Sequence, residues 1–271
     1  MLSDIDKIKV IDLVIIGGLK MIFGAMILLG CLLGFAGAGG AGLTITLLSV
    51  GFGVPIHTAL GVALAAMSFT MLSGAVSHFR EGDVLLRLGL TTGGAGMLGA
   101  FAGARISDAL PGDILSKMTA ALMLASSVLL YFILFRKDML DSFVAKHASK
   151  AEGASFYAHA LTIGVVTGFL SGAFGIGATA FIQISLMLFF GVSLYHAIGT
   201  TMLVILPISI SGGLGYLVNG HLDFYIFLQT LGGLTIGAYL GAKLTRLASR
   251  NALRYIVLSM PTIGGLMLLF K

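Results

Sequence analysis

The chain has 271 residues, of which 58% are apolar and 10% are charged, against about a quarter charged in soluble domains. Apolar runs recur along nearly the whole length and are continuous rather than alternating, which excludes both a soluble domain and a β-barrel. The net charge of +5 comes from basic residues scattered through short loops, the distribution of membrane orientation signals rather than of a nucleic-acid surface.

The fold class expected is therefore an all-α polytopic membrane protein in the lipid bilayer. The opening "MLSDIDKIKVIDLVIIGG" mixes acids with lysines and lacks the clean positive flank of a cleavable signal. The first run, about 12–35, is thus expected to be a retained helix. Its lone Cys31 reads as a small apolar packing residue. Next comes "GFAGAGGAG", Gly34–Gly42, with five glycines in nine residues. The segment after it, about 39–52, spans only about 21 Å as a helix, short of a hydrocarbon core about 30 Å thick. Longer runs follow at about 56–78, 86–106 and 114–135. A polar stretch, 136–155, leads to runs at about 156–173, 177–191, 194–218, 224–243 and 252–270. The second short run again follows a glycine break, "GAFGIGATA", Gly172–Ala180.

The likeness of the two breaks extends to the chain around them. At an offset of 138, Gly34–Arg105 aligns with Gly172–Lys243 without a gap, with nineteen of 72 positions identical and ten of those Gly–Gly. Weak internal symmetry of this kind marks secondary transporters. The expected organisation is a first membrane repeat over 1–135, a cytoplasmic linker over 136–155 and a second membrane repeat over 156–271. Loop charge sets the orientation. The loops at Arg80–Arg87, Arg136–Lys150 and Lys243–Arg254 share one side and hold ten Lys/Arg, against five on the other. The positive-inside rule places the ten in the cytoplasm and both termini outside. Five segments in each half make the two repeats inverted, with short discontinuous helices after the glycine breaks.

All eleven carboxylates lie outside the spans or at their edges, which argues against a carboxylate-based cation pump. There is no HExxH and no paired cysteine–histidine spacing, so neither an enzyme nor a cofactor is expected. What remains is backbone. A glycine cluster opening a short helix exposes amide N–H groups at the positive end of the helix dipole, where a small anionic substrate can sit. Candidate substrate-binding residues are Gly37, Gly39, Gly40 and Thr44 on the first break and Gly175, Gly177, Thr179 and Gln183 on the second. His57, His196, Thr200 and Thr201, at or near the starts of the following helices, complete the set. "GAFAGAR" and "GAYLGAK" are expected to be helix-packing stripes instead.

At these residues the chain resembles the TauE/SafE sulfite exporter family, the TSUP permeases. "GFAGAGGAG" with Ala59–Gly61, "GFLSGAFGIGATAF" with "HAIGTTM" at His196–Met202, and "GHLDF" at Gly220–Phe224 carry the resemblance. The family often has three glycines and then a proline on each short helix; neither copy here has the proline. The resemblance implies a cytoplasmic-membrane permease for sulfite, thiosulfate, sulfonates or related small anions. Coupling to a proton or to sodium and simple uniport stay open, as does oligomeric state. The rival readings are a non-transporting membrane scaffold and an anion channel.

Overall fold

The computed structural model describes residues 21–33, 41–136, 153–244 and 250–271. Most of the expected linker lies outside the described residues, as does the start of the first expected run. Among the described residues the chain is helical throughout, in ten helices. The first half gives α1 (Met21–Leu33), α2 (Ala41–Thr46, continued by a π turn at Leu47–Gly51), α3 (Ile56–Glu81), α4 (Leu86–Ser107) and α5 (Gly112–Phe135). The second half gives α6 (Ala154–Phe174), α7 (Thr179–Phe190), α8 (Leu194–Val218), α9 (Phe224–Leu244) and α10 (Arg250–Leu269). Five of these, α3, α5, α6, α8 and α9, are long and apolar enough to cross a membrane. Both helices that follow the glycine breaks, α2 and α7, are too short to do so alone.

The centre of the molecule is the pair α3 and α8, each burying 56% of its most apolar window, more than any other span. The two run antiparallel. Gly61 lies against Tyr216, Leu64 against Gly212 and Gly74 against Met202. Both helices end in the same glycine turn. Gly82 N–H donates to the Phe79 carbonyl and Asp83 N–H to that of His78; Gly220 and His221 donate likewise to Leu217 and Tyr216. In each case the glycine takes the left-handed conformation that closes a Schellman cap.

The offset of 138 recurs in these contacts. Leu64 against Gly212 becomes, on exchanging the halves, Met202 against Gly74, and both are present, at 3.0 and 3.1 Å from the glycine's ideal Cβ position. The tightest crossing is repeated as well. A Cβ on Gly99 of α4 would stand 2.2 Å from the Val165 carbonyl oxygen of α6, and one on Gly237 of α9 would stand 2.1 Å from that of Ile27 in α1. Each half thus packs its fourth helix against the first helix of the other. Glycine permits this because lipid offers no hydrophobic drive between helices, leaving close backbone packing to hold them. The stripes "GAFAGAR" and "GAYLGAK" supply these contacts.

The helix ends gather at two ends of the molecule. The α2–α3, α4–α5 and α8–α9 connections share one end with Lys271, whose Nζ donates to the Ser49 carbonyl and hydroxyl oxygens. The α3–α4 and α7–α8 connections, Arg136 and the start of α6 share the other, where Arg87 donates to the Tyr157 hydroxyl and the rings of Phe156 and Phe190 meet. Of the described basic residues, Arg80, Arg87, Arg136 and Arg254 sit at that second end. Apolar side chains such as Leu28, Leu90, Leu98 and Leu228 stand exposed on the outer faces, as lipid contact requires.

The glycine contacts give a direct test. Gly99→Ala and Gly237→Ala are each expected to destabilise the protein by about 1–3 kcal/mol, the range for overpacking. At Gly94 a Cβ meets nothing within 4 Å, and Gly94→Ala is expected to be neutral or to stabilise by up to about 1 kcal/mol through helix propensity. Thermal unfolding in detergent ranks the three variants, and equal melting temperatures would contradict this packing.

Candidate functional site

The second break is well defined. α6 ends at Phe174, and the Gly175 amide closes its last turn on the Ser171 carbonyl at 2.7 Å. Gly175, Gly177 and Ala178 then all have positive φ, at 67°, 69° and 46°. Glycine adopts this region freely, whereas for alanine it costs roughly 1–2 kcal/mol. Ala178 is the one non-glycine residue held there among the described residues. The chain is turned in four residues from one helix into the next, and the first paired amide of α7 is Ile182, bonded to the Ala178 carbonyl at 2.9 Å. The amides of Thr179, Ala180 and Phe181 are left without an acceptor within the helix.

The break lies deep in the molecule. A Cβ on Gly175 would meet the Leu60 and Ile45 side chains at 2.5 and 2.9 Å, and one on Gly177 would meet the Met67 methyl at 2.5 Å. Leu60 and Met67 stand roughly 6 and 17 Å along α3, so the break faces the interior of a spanning helix. Ile45 brings α2, with the buried Thr44 beside it in sequence, against the same place. The glycines are covered here by the ends of flexible apolar side chains rather than left open.

Gln183 stands out on α7. At 100° per residue it falls at the middle of the buried face, flanked by Ile182 and Leu186 on one side and Ala180 and Met187 on the other. It is 6% exposed, and its amide meets no hydrogen-bond partner among the described residues. Helical side chains lean towards the N-terminus, so this side chain leans towards Thr179 and the first turn of α7. Its polar atoms are not among those wholly buried without a partner, so the amide keeps the residue's small remaining exposure. Two neighbouring elements carry groups that are wholly buried and unpaired, at a cost of about 1–3 kcal/mol each. Ser171, one turn before Gly175, and Thr201, on the α8 face that packs Ile205 and Ile208 against Ile182 and Leu186, have buried hydroxyls without partners.

The other expected site residues divide. Gly37, Gly39 and Gly40 lie outside the described residues. Thr200 Oγ1 accepts the Leu85 amide at 3.1 Å, tying the start of α4. His196 Nδ1 pairs with Ser193 Oγ at 2.8 Å in the first turn of α8. His57 sits at the opposite end of the α3–α8 pair, its ring stacked on His221, so the structure does not bring the two histidines together. Residues that sequence reasoning passed over include Thr92 and Thr230, which occupy the same place in the two halves. Both are fully buried with unpartnered hydroxyls; their identity at the 138 offset was the available signal. Ser171 carried no such signal, since its counterpart is Leu33.

Kinship identifies the chain as a multi-pass membrane transporter. Residues 22–268 match the family of the sulfite exporter TauE/SafE, and the chain belongs to that family. It is 43% identical to the probable membrane transporter protein YdhB of Bacillus subtilis, over 90% of this chain and 98% of that one. It is 27% identical to a probable membrane transporter protein of Xylella fastidiosa (strain 9a5c), over 80% and 81% of the two chains. No solved structure matches it.

Gln183→Leu removes the amide while keeping a side chain of similar volume. In the absence of any anion it is expected to leave stability unchanged or raise it by up to about 1 kcal/mol, read as an equal or higher melting temperature. A loss of stability would show that the amide serves packing instead.

Proposed function

We propose that the protein is a secondary transporter for a small anion, sulfite or a related sulfur-containing or organic anion such as a sulfonate. The anion binds at the α6–α7 break, and access alternates by rocking two inverted repeats. The observation that carries this reading is Gln183, 6% exposed and with no hydrogen bond to another described residue, one turn into a helix too short to span that starts at the break. An oxyanion accepts from Gln183 and the first amides of α7 at once, and the dipole of α7 adds to the attraction without a full countercharge. Such a site holds a small anion weakly enough to release it.

The antiparallel α3 and α8, and the contacts reproduced on exchanging the halves, support inversion of the repeats. Residues 1–135 and 156–271 form the two repeats, and 136–155 the linker. The gathering of Arg80, Arg87, Arg136 and Arg254 at one end supports a cytoplasmic position for that end and for the linker, in the cytoplasmic membrane, with the termini outside. Leu60 and Met67 close on Gly175 and Gly177 from α3. Withdrawal of these flexible side chains opens the break, so the geometry fits a closed state in an alternating cycle. The candidate glycines of the first break, Gly37, Gly39 and Gly40, complete the cradle in this reading, with Thr44 and Thr179 at its rim.

Purified protein is expected to melt higher with sulfite added, and proteoliposomes loaded with sulfite are expected to release it at a saturable rate. Gln183→Leu, and a bulky residue at Gly177, are expected to remove both responses while the protein stays folded in the membrane. A scaffold gives neither response in the wild type, and a channel gives currents too large for alternating access. Full transport by both variants would rule out this site.

A further inference from the structure

At the end of the molecule opposite Arg136, the start of α3 and the ends of α4 and α8 share one polar cluster. The His57 and His221 rings stack with centroids 5.0 Å apart and planes inclined by 28°. His221 Nε2 lies 2.5 Å from Asp108 Oδ1, and His57 Nε2 lies 3.1 Å from the Ser107 carbonyl oxygen. Carbonyl and carboxylate oxygens only accept, so each ring holds its hydrogen on Nε2 and leaves Nδ1 to take another. From there a hydrogen-bonded thread runs inward. Ser107 Oγ lies 2.8 Å from Tyr216 Oη, and that hydroxyl donates to the Ala173 carbonyl at 3.3 Å. Tyr216 is fully buried, and Ala173 stands in the last turn of α6, two residues before Gly175. The thread therefore joins a pair of histidines near the surface to the edge of the break.

We propose that His57, His221 and Asp108 form a proton-binding site whose occupancy is read at the α6–α7 break through Ser107 and Tyr216. A proton on His221 Nδ1 gives an imidazolium balanced by the Asp108 carboxylate. A second proton on His57 has no such counter-charge and meets the first across the stack. The cluster thus carries one proton per cycle. The other ionisable groups on the packed elements are otherwise engaged or turned outward. Arg105 donates to Asn219 Oδ1 at 3.0 Å. Asp223 accepts the amides of Tyr225 and Ile226, Lys271 donates to Ser49, and Asp113 and Lys117 of α5 are exposed. Charging His221 tightens its bond to Asp108, the residue after Ser107, while His57 stays neutral on the Ser107 carbonyl. Ser107 and Tyr216 then move as a unit against the Ala173 carbonyl. This deepens the transporter reading and rests on it for what the proton drives, although proton binding itself does not.

Hydrogen–deuterium exchange of the full chain in nanodiscs at pH 5 and pH 8, corrected for intrinsic rates, reads the amides of residues 171–183. Protection there is expected to change about fivefold or more, the lower end of site-to-site coupling. His159→Gln, on the outer part of α6, is expected to keep the change. His221→Gln and Asp108→Asn are expected to lose it. Tyr216→Phe is expected to leave the His221–Asp108 hydrogen bond in place by NMR while the response at the break disappears. A wild type without the change, or a change that survives in both His221→Gln and Asp108→Asn, overturns the proposal. If the exchange response is present but proteoliposomes move no sulfite, the assignment of sulfite falls and the proton site stands.

Discussion

The structure depends on backbone-to-backbone contact between helices in a medium that offers them no hydrophobic drive. Where α4 crosses α6, and again where α9 crosses α1, glycine brings one helix within reach of the next helix's carbonyl groups. A side chain at these positions would separate the helices by its own width. Because each crossing joins the fourth helix of one half to the first helix of the other, the halves are interlocked rather than merely adjacent. The antiparallel α3 and α8 then fill the centre, each closing on glycines of the other. Polar side chains are few and deep, so those without partners are conspicuous.

That framework explains the position of the break. α6 is held along its length by α4 through Gly164, Gly168 and Gly172, and it ends where α3 presents Leu60 and Met67. The chain reverses its local hand over Gly175, Gly177 and Ala178 and starts α7 inside the protein rather than at its surface. A helix beginning there has amides with no water to satisfy them. Gln183 and Ser171 add polar groups to the same neighbourhood. The proposed anion meets a requirement that the fold itself creates, and the thread from His57 to Ala173 reaches that neighbourhood from the outer end.

Much of this was legible in the sequence because its causes are local. Helix spans follow from continuous apolar runs, and the ends of α3 and α8 follow from Gly82 and Gly220. The duplication was visible because its glycines are required by sterics in both copies. The glycine stripes on α4 and α9 read correctly as packing, for the same reason. The pairing of halves was not legible, since no periodicity states which helix an exposed stripe will meet. The separation of His57 from His196 was implied by the inverted order of segments, which starts 56–78 and 194–218 on opposite sides. Both open their helices, and the antiparallel packing of α3 and α8 puts them at opposite ends, too far apart for one site. Tyr216 lies more than a hundred residues from the adjacent Ser107 and Asp108, so only the fold assembles them around His57 and His221. At Gly175 and Gly177 the sequence suggested an exposed cradle, whereas apolar side chains from α2 and α3 cover the glycines in this conformation.

The central claim is that a small oxyanion is held at the break by Gln183 and the first amides of α7. Selenite has the shape and charge of sulfite and scatters anomalously at the selenium edge, so a crystal grown with it locates the anion without assumption. The account predicts an anomalous peak within about 4 Å of Gln183 Nε2 and the Thr179–Phe181 amides, the reach of selenium through one hydrogen-bonded oxygen. A strong peak confined to surface residues such as Arg80 or Arg87, with the break empty, would contradict it.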